Sequence, residues 1–448
     1  MELPFWDDQQ HIRAMSLDVT LRIDAALDAT KLRSSLEKLL ATGNWRRLGA
    51  RLRKNNGKLC YQIPAEYTPS QPGVIFTTDH HEIPFVQHPL ADKFPVATET
   101  PTVFDSPAAI ATLLRAADAP SRLADWTETD RPQLAVHVVR FTDTTLLTLT
   151  FMHTLTDAMG LAGFLHAWTA VMRGEGVPDL YHGDPLQKQL EMEKGEDFIH
   201  SSRLLQGWRF MLFVFWYIFE LFCYRDEMRT VCIPASYVDR LRNEALAQLP
   251  QSTFVSHGDV LLAWWLGVVV RAQNLSPSQP ITVINVFDVR DILQHTQHTR
   301  VLSNMTLPSY TFLRARDCET LSLTAWKVRQ SLLAHRTTPQ IEASFYTQKH
   351  SLLRTGHLPV FGEPGMFLFA VSNWHKGRLF VDFSAAAQDT DGAKKAKTVQ
   401  VICSGTADGF SVRNAGPVIG QDPDGNWWLS FTLRRETWRK VGRILNTV

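Results

Sequence analysis

The sequence predicts a mixed α/β protein built from two layered domains. Strand-like and helix-like patterns alternate in both halves of the chain, which favours helices packed on sheets. The 448 residues, 44% of them hydrophobic, suffice for two separate cores. No internal repeat is visible, which excludes a solenoid. We expect an N-terminal domain at residues 1–190, a crossover at 191–229 and a C-terminal domain at 230–448.

The first half contains two helix patterns and one hairpin pattern. Apolar residues at helical spacing predict helices over residues 28–42 and 161–172. Two aliphatic runs, 134–140 and 146–153, are joined by the polar turn FTDTT and predict an antiparallel hairpin. The polar stretch 177–202 reads as a surface crossover.

The second half begins with helix patterns and continues with strand patterns. Helices are predicted over 236–249 and 259–271, with Ser256 as the N-cap of the latter. A polar loop is expected at 388–397. Strands are predicted at 281–287, 366–371, 379–383, 398–403 and 427–433.

Composition excludes several classes of protein. Lys plus Arg number 46 and Asp plus Glu 45, so there is no electrostatic case for nucleic acid as a partner. The five cysteines form no C-x-x-C pair, so neither a disulfide framework nor a metal site is indicated. The N-terminus lacks the basic start and apolar core of a secretion signal. We therefore expect a cytoplasmic protein.

One apolar segment runs from Trp208 to Tyr224 and reads WRFMLFVFWYIFELFCY. Its uncharged part, 210–219, is half of the roughly 20 residues that a membrane-spanning helix needs. We therefore expect a buried helix, or one that lies on an internal membrane or along a hydrophobic tunnel, rather than a span.

The strongest chemical pattern is H-x-x-x-D at His153 and Asp157. A second such pair, His88 and Asp92, has no strand before it. His153 instead ends an apolar strand and precedes a helix, where a side chain is firmly placed yet accessible. Asp157 falls in the first turn of that helix, where a negative charge suits the helix dipole, and Gly160 permits close approach of backbone or ligand.

A histidine in this position suits proton transfer. Neutral imidazole, with a pKa near 6.5, can accept the proton of an alcohol or amine that attacks a thioester. The sequence has no G-x-S-x-G nucleophile elbow, so a serine-hydrolase mechanism lacks support. The alternative interpretation is that His153 is a packed core histidine.

Several motifs in order resemble those of BAHD acyltransferases, which share the chloramphenicol acetyltransferase fold. Besides H-x-x-x-D, residues 256–265 (SHGDVLLAWW) resemble the family's S-x-x-D-x-L-x-A-x-x-W helix, and 285–290 (NVFDVR) its V-D-x-R strand. Ser303-Asn304, then 371–374 (VSNW) and 381–384 (VDFS), are similar to the remaining motifs. In style the chain resembles fungal members such as the trichothecene 3-O-acetyltransferases.

The resemblance implies two chloramphenicol acetyltransferase-like domains with a channel between them, and acyl-CoA as co-substrate without a bound cofactor or metal. His153 would be the general base, and the acceptor a lipophilic secondary metabolite. Asp157 would hold its loop, commonly through an arginine, and Asp382 would brace the structure with Arg290. One channel per chain would suffice for a monomer. Further expected channel contacts are His257, Asn304, Ser372 and Trp374.

One motif departs from the family. Asp382-Phe383 is followed by Ser-Ala-Ala, where the family has G-W-G, and this affects the donor side of the channel. Two alternatives therefore stay open. The fold could catalyse a cyclisation or isomerisation without coenzyme A, or it could bind a lipid or metabolite without catalysis. The lysines of the neighbouring loop, at 394, 395 and 397, are further candidates for contacts with the phosphates of coenzyme A.

Overall fold

Strands and helices alternate along the chain, which confirms the mixed α/β class. The computed structural model describes residues 1–293, 299–388, 396–408 and 413–447. Its strands are β1 Met15–Ile23, β2 Arg51–Asn55, β3 Lys58–Gln62, β4 Ile75–His80, β5 Thr102–Val103, β6 Ala135–Arg140, β7 Thr145–Met152, β8 Asp226–Ile233, β9 Pro280–Asp288, β10 Thr306–Arg314, β11 Phe367–Asn373, β12 Thr398–Ala407, β13 Ala415–Gln421 and β14 Trp427–Arg434.

The helices lie between and beside these strands. They are α1 Gln10–Arg13, α2 Ala29–Leu40, α3 Ala111–Leu114, α4 Leu123–Thr127, α5 Ala158–Met172, α6 Gln187–Glu191, α7 Gly207–Cys223, α8 Ala235–Ala247, α9 His257–Gln273, α10 Leu321–His335, α11 Thr338–Thr355 and α12 Arg435–Leu445.

Two mixed sheets organise the described residues. The first has the strand order β12-β1-β7-β6-β4, and the second has the order β10-β9-β11-β13-β14-β8-β5. In the first, β4 and β6 run parallel, whereas β1 is antiparallel to both of its neighbours. In the second, β11 is parallel to β9 and to β13. A separate hairpin joins β2 and β3.

The two sheets exchange strands. β12 comes from the second half of the chain but pairs with β1, from Met15↔Ala407 onward. Conversely, β5 comes from the first half and pairs with β8. Each sheet therefore contains residues from both sides of the expected crossover, and the domain bounds 1–190 and 230–448 stay a prediction.

Each sheet has its own apolar core covered by helices. Trp168 of α5 is fully buried in the first core, where α5 lies against α2. Trp265 of α9 is buried in the second core, where α9 contacts α8, α10 and α12. Burial of such large apolar side chains is the main stabilising contribution of these layers.

Most predicted elements are confirmed. The helices expected at 28–42, 161–172, 236–249 and 259–271 are α2, α5, α8 and α9. The hairpin expected from the aliphatic runs is β6 paired antiparallel with β7. Ser256 caps α9, since its hydroxyl accepts from the Asp259 amide while the Asp259 carboxylate accepts from the Ser256 amide.

The strand predicted at 379–383 is wrong. This segment is irregular and forms only an isolated bridge between Asp382 and Lys397. Its alternate apolar residues Leu379, Val381 and Phe383 are nevertheless buried, and Phe383 packs edge-on against Trp168 with ring centroids 6.0 Å apart. The alternating pattern thus reflects burial in the first core rather than strand pairing. Of the polar loop expected at 388–397, residues 389–395 lie outside the described residues.

The apolar segment from Trp208 to Tyr224 forms most of α7 and the residue after it. Of the alternatives expected for this segment, the buried helix is wrong. None of its residues is buried. Its inner side faces a cleft lined by Phe213, Tyr217 and Arg413. No helix within the described ranges is long and apolar enough to cross a membrane.

Replacement of the α9 cap should lower stability measurably. Ser256→Ala removes the hydroxyl that accepts from the Asp259 amide, which costs about 1 kcal/mol. We expect a thermal midpoint lower by about 1–3 °C, measured by differential scanning fluorimetry. Ser202→Ala, at an exposed position, is the control and should leave the midpoint unchanged. Equal midpoints for both variants would contradict the assigned cap.

Candidate active site

A cavity of about 660 Å³ lies where the two sheets meet. The first sheet contributes Leu17 of β1 and Ser404 of β12, while the second contributes Val286 of β9 and Val371 of β11. Its walls are mainly apolar. A concave, largely apolar space with few polar groups is typical of a small-molecule site.

His153 lies at the end of β7 and lines this cavity. Its backbone amide donates to the Met15 carbonyl oxygen over 2.9 Å, which continues the pairing of β7 with β1. The Nδ1 atom is buried and has no hydrogen-bond partner among the described residues. Burial lowers the pKa of the imidazole below 6.5, against opposing effects of its own backbone carbonyl, Asp157 and Asn304. The ring is therefore neutral at cellular pH.

Asp157 is occupied by structural hydrogen bonds. Its Oδ1 accepts from the amides of Met159 and Gly160 and so caps α5. The same oxygen accepts from Arg290 at 2.8 Å, and Oδ2 accepts from the Met305 amide at 2.9 Å. Because both oxygens are engaged, Asp157 is poorly placed to exchange protons with a ligand.

Arg290 is the buried partner of two acids. It contacts Asp157 at 2.8 Å and Asp288 at 2.6 Å, and it also donates to the carbonyl oxygens of Val301 and Ser303. Although burial opposes protonation, the two carboxylates hold the pKa of Arg290 above its ordinary value. These contacts tie the β7–α5 junction of the first sheet to the end of β9 in the second.

The expected pairing of Asp382 with Arg290 is wrong. The Asp382 Oδ1 instead accepts from the amide and the hydroxyl of Ser384, and the Ser384 hydroxyl accepts from the Ala396 amide at 2.8 Å. Asp382 therefore stabilises its own turn. Ser384 stands where the family has glycine. Its hydroxyl connects Asp382 to the Ala396 amide and so stabilises the same turn.

Asn304 connects the site to the N-terminal segment. Its side-chain amide donates to the His153 carbonyl oxygen at 3.0 Å and to Asp7 Oδ1 at 2.8 Å, and its backbone amide also donates to Asp7. Burial raises the pKa of the Asp7 carboxyl to about 7. Asp7 therefore positions Asn304, and Asn304 in turn positions the backbone carbonyl of His153.

Sequence reasoning missed both Asp7 and His11. His11 lies in α1, lines the cavity, and has its pKa lowered to about 4, first by burial and then by the nearby His153. Neither residue belongs to a motif that was recognised. They approach the site because β1, which follows α1, pairs with β7.

Of the remaining predicted residues, Ser372 and Trp374 line the cavity. The Trp374 indole donates to the Ser372 hydroxyl at 2.9 Å. A side chain at Gly160 would collide with the backbone of Leu302. The close approach expected at this glycine is therefore made by the protein backbone and not by a ligand.

His257 is not among the residues that line the cavity. Its ring contacts Asp239 at 2.8 Å on the protein surface. Lys394 and Lys395 lie outside the described residues, whereas Lys397 lines a smaller cavity beside Asp382. In the part of the chain that is described, no group of three or more His, Cys, Asp or Glu side chains could hold a metal ion.

Comparisons with known proteins identify relatives of this site and fold. The model of the Transferase family matches residues 115–384. The chain is 38% identical to "Acetyltransferase adrJ" of Penicillium roqueforti, over 99% of this chain and 95% of that one. It is 36% identical to "Acetyltransferase sphE" of Aspergillus fumigatus, over 98% and 93%.

A solved structure has the same fold. TRI101 of F. sporotrichioides, complexed with coenzyme A and T-2, superimposes with a TM-score of 0.70 at 15% identity, covering 98% of this chain and 96% of that one. The predicted arrangement of mixed sheets in a chloramphenicol acetyltransferase-like fold is thereby confirmed.

Loss of the buried arginine should be severe. Arg290→Gln would leave Asp157 and Asp288 buried without a countercharge, which costs about 3–5 kcal/mol. We expect a large fall in the thermal midpoint and in soluble yield. Arg290→Lys keeps the charge and should lose less. Arg354→Gln, at an exposed position of α11, is the matched control. A midpoint for Arg290→Gln equal to that of Arg354→Gln would refute the brace.

Proposed function

Because the chain belongs to the Transferase family of BAHD-type acyltransferases, we propose that His153 is the general base that moves an acyl group from an acyl-CoA thioester to a lipophilic acceptor. Membership of this family makes the protein an acyl-CoA-dependent acyltransferase. The acceptor group is a hydroxyl, or alternatively an amine, of a secondary metabolite.

The reaction requires one proton acceptor and no covalent enzyme intermediate. His153 takes the proton from the acceptor hydroxyl while the hydroxyl oxygen bonds to the thioester carbonyl carbon. The resulting tetrahedral oxyanion collapses, and the carbon–sulfur bond breaks. The imidazolium returns its proton to the departing thiolate, which gives an ester, free coenzyme A and neutral His153.

The surroundings of the imidazole give the strongest support for His153 as the base. His153 lines a cavity whose walls come from both sheets, and its pKa is lowered by burial, so it enters the reaction as a base. Asp157, the other ionisable member of the motif, is engaged by Arg290 and three backbone amides. Proton transfer therefore falls to the histidine.

The shape of the cavity supports a lipophilic acceptor. Apolar side chains such as Trp6, Ile12, Leu17 and Phe345 form its walls, and they would exclude water from the acyl transfer. The names of the relatives adrJ and sphE favour acetyl as the acyl group to test first. We propose a monomer as the acting unit, because one cavity formed by the two sheets of a single chain would suffice.

The alternatives receive less support. Cyclisation or isomerisation without coenzyme A was suggested by the changed motif after Asp382, but Ser384 braces that turn in place of the missing glycine. The relatives adrJ and sphE are acetyltransferases by name, which does not favour a coenzyme A-independent reaction. Binding without catalysis predicts that His153→Ala changes neither the product profile nor the ligand affinity.

Removal of the imidazole should abolish most of the activity. In His153→Ala, release of free thiol from acetyl-CoA in the presence of a lipophilic alcohol acceptor should fall by about a hundred- to ten-thousand-fold. The measurement is a continuous thiol assay. His257→Ala, outside the cavity lining, is the matched histidine control and should keep activity within about twofold. Undiminished thiol release by His153→Ala would exclude the general base.

The acid side of the pH–rate profile should reflect the buried histidine. Burial lowers the pKa of His153, so the base stays neutral below the pH at which a solvated imidazole is half protonated. kcat/KM should therefore still exceed half its plateau at pH 6.5 and fall at lower pH. The profile should be measured between pH 4.5 and 8.

The position of the midpoint separates His153 from its neighbours. His11, with a pKa of about 4, and Asp7, with a pKa of about 7, also lie at the site. An acid limb that reports Asp7 would be centred near pH 7, and one that reports His11 would be centred near pH 4, below the measured range. A midpoint at or above 6.5 would contradict the assignment to His153.

A further inference from the structure

α7 presents apolar side chains to solvent on a wide face. Six of them are between 48% and 87% exposed: Trp208, Met211, Phe215, Trp216, Phe219 and Phe222. Most of these recur at intervals of three and four residues, so they share one side of the helix. Surface helices of soluble proteins show the opposite pattern, with charged residues outward. An exposed apolar patch of this kind marks an interaction surface.

The charges of α7 fix this orientation. Its charged residues are Arg209 and Glu220, and Glu220 points inward to pair with Arg434 at 2.7 Å and Arg413 at 3.3 Å. Near the other end, the Phe210 ring stacks on His357 with centroids 4.6 Å apart. The helix is thus held at both ends with its apolar face directed away from the protein.

We propose that α7 is an interfacial helix that docks the protein on the surface of a phospholipid bilayer. Its 17 residues span about 26 Å, which suits a helix that lies in the plane of the membrane. Trp208 at its start and Tyr224 just after its end combine an apolar ring with a polar atom, which suits the membrane–water interface. Arg209 and Arg225 flank the apolar face and can reach the headgroups.

The membrane-facing helix adjoins the active-site cavity. Leu358 lines the cavity, and its neighbour His357 holds Phe210. Met228, another lining residue, lies on β8, which begins three residues after α7 ends. An acceptor dissolved in the bilayer would thus be close to the cavity, a consequence that rests on the proposed function, whereas the docking itself does not.

Vesicle flotation tests the proposal directly. Full-length protein should float with neutral phosphatidylcholine vesicles, in high salt as well as low, because apolar insertion does not depend on charge. The triple variant Phe215→Ser, Phe219→Ser, Phe222→Ser should float at least about tenfold less. The control Val86→Ser, Val96→Ser, Leu353→Ser changes three exposed apolar residues elsewhere and should float like the wild type.

Each result that would contradict membrane docking by α7 can be told apart from the others. Absence of flotation of the wild type, or equal flotation of both triple variants, would overturn the docking role of α7. Binding only to phosphatidylserine vesicles at low salt would also overturn it, because basic residues would then carry the attachment. Sedimentation of the wild type as a dimer that the α7 variant converts to a monomer, without flotation, would assign the face to a second copy. Thiol release in lipid-free buffer, unchanged in the α7 variant, keeps this test separate from the acyl-transfer proposal.

Discussion

The buried contact between Asp157 and Arg290 determines the geometry of the site. It joins the start of α5, on the first sheet, to the end of β9 on the second, and the cavity lies between those sheets. Two desolvated acids around one arginine are stable only if all charges and hydrogen-bonding atoms are satisfied. Here the backbone amides of Met159, Gly160 and Met305 complete the set. The acid of the motif thus serves structure, which is one reason why we propose the histidine as the proton acceptor.

His153 is held through its backbone while its ring is left unengaged at Nδ1. Pairing of β7 with β1 sets the amide of His153, and Asn304, anchored by Asp7, sets its carbonyl. Restraint of the main chain on both sides limits the positions that the imidazole can take. Burial keeps the imidazole unprotonated near neutral pH, and the restrained main chain fixes its position, and both features suit the general base that we propose.

Much of the fold could be predicted from local patterns. Helical spacing and the cap at Ser256 gave α9 almost to its ends, and alternation gave the β6–β7 hairpin. The position of His153 at a strand end was also visible, because strand and helix signals meet there. The exchange of β5 and β12 between sheets was not visible, since it depends on pairing between residues far apart in sequence.

The partners of charged groups were the weakest predictions. Arg290 was expected to pair with Asp382, but Asp288 and Asp157 lie closer in the fold, and Ser384 satisfies Asp382 locally. Asp7 and His11 carry no motif. For α7, the apolar composition left both burial and a surface position open, because hydrophobicity does not show which side of a helix the rest of the chain covers.

We expect the His153 ring to meet the reacting groups in the cavity between the sheets. A crystal structure of the protein with coenzyme A bound would show whether it does. The thiol sulfur should lie in the cavity, within about 4–5 Å of the imidazole. A sulfur bound away from this cavity, or an imidazole with both nitrogens bonded to protein groups, would contradict it.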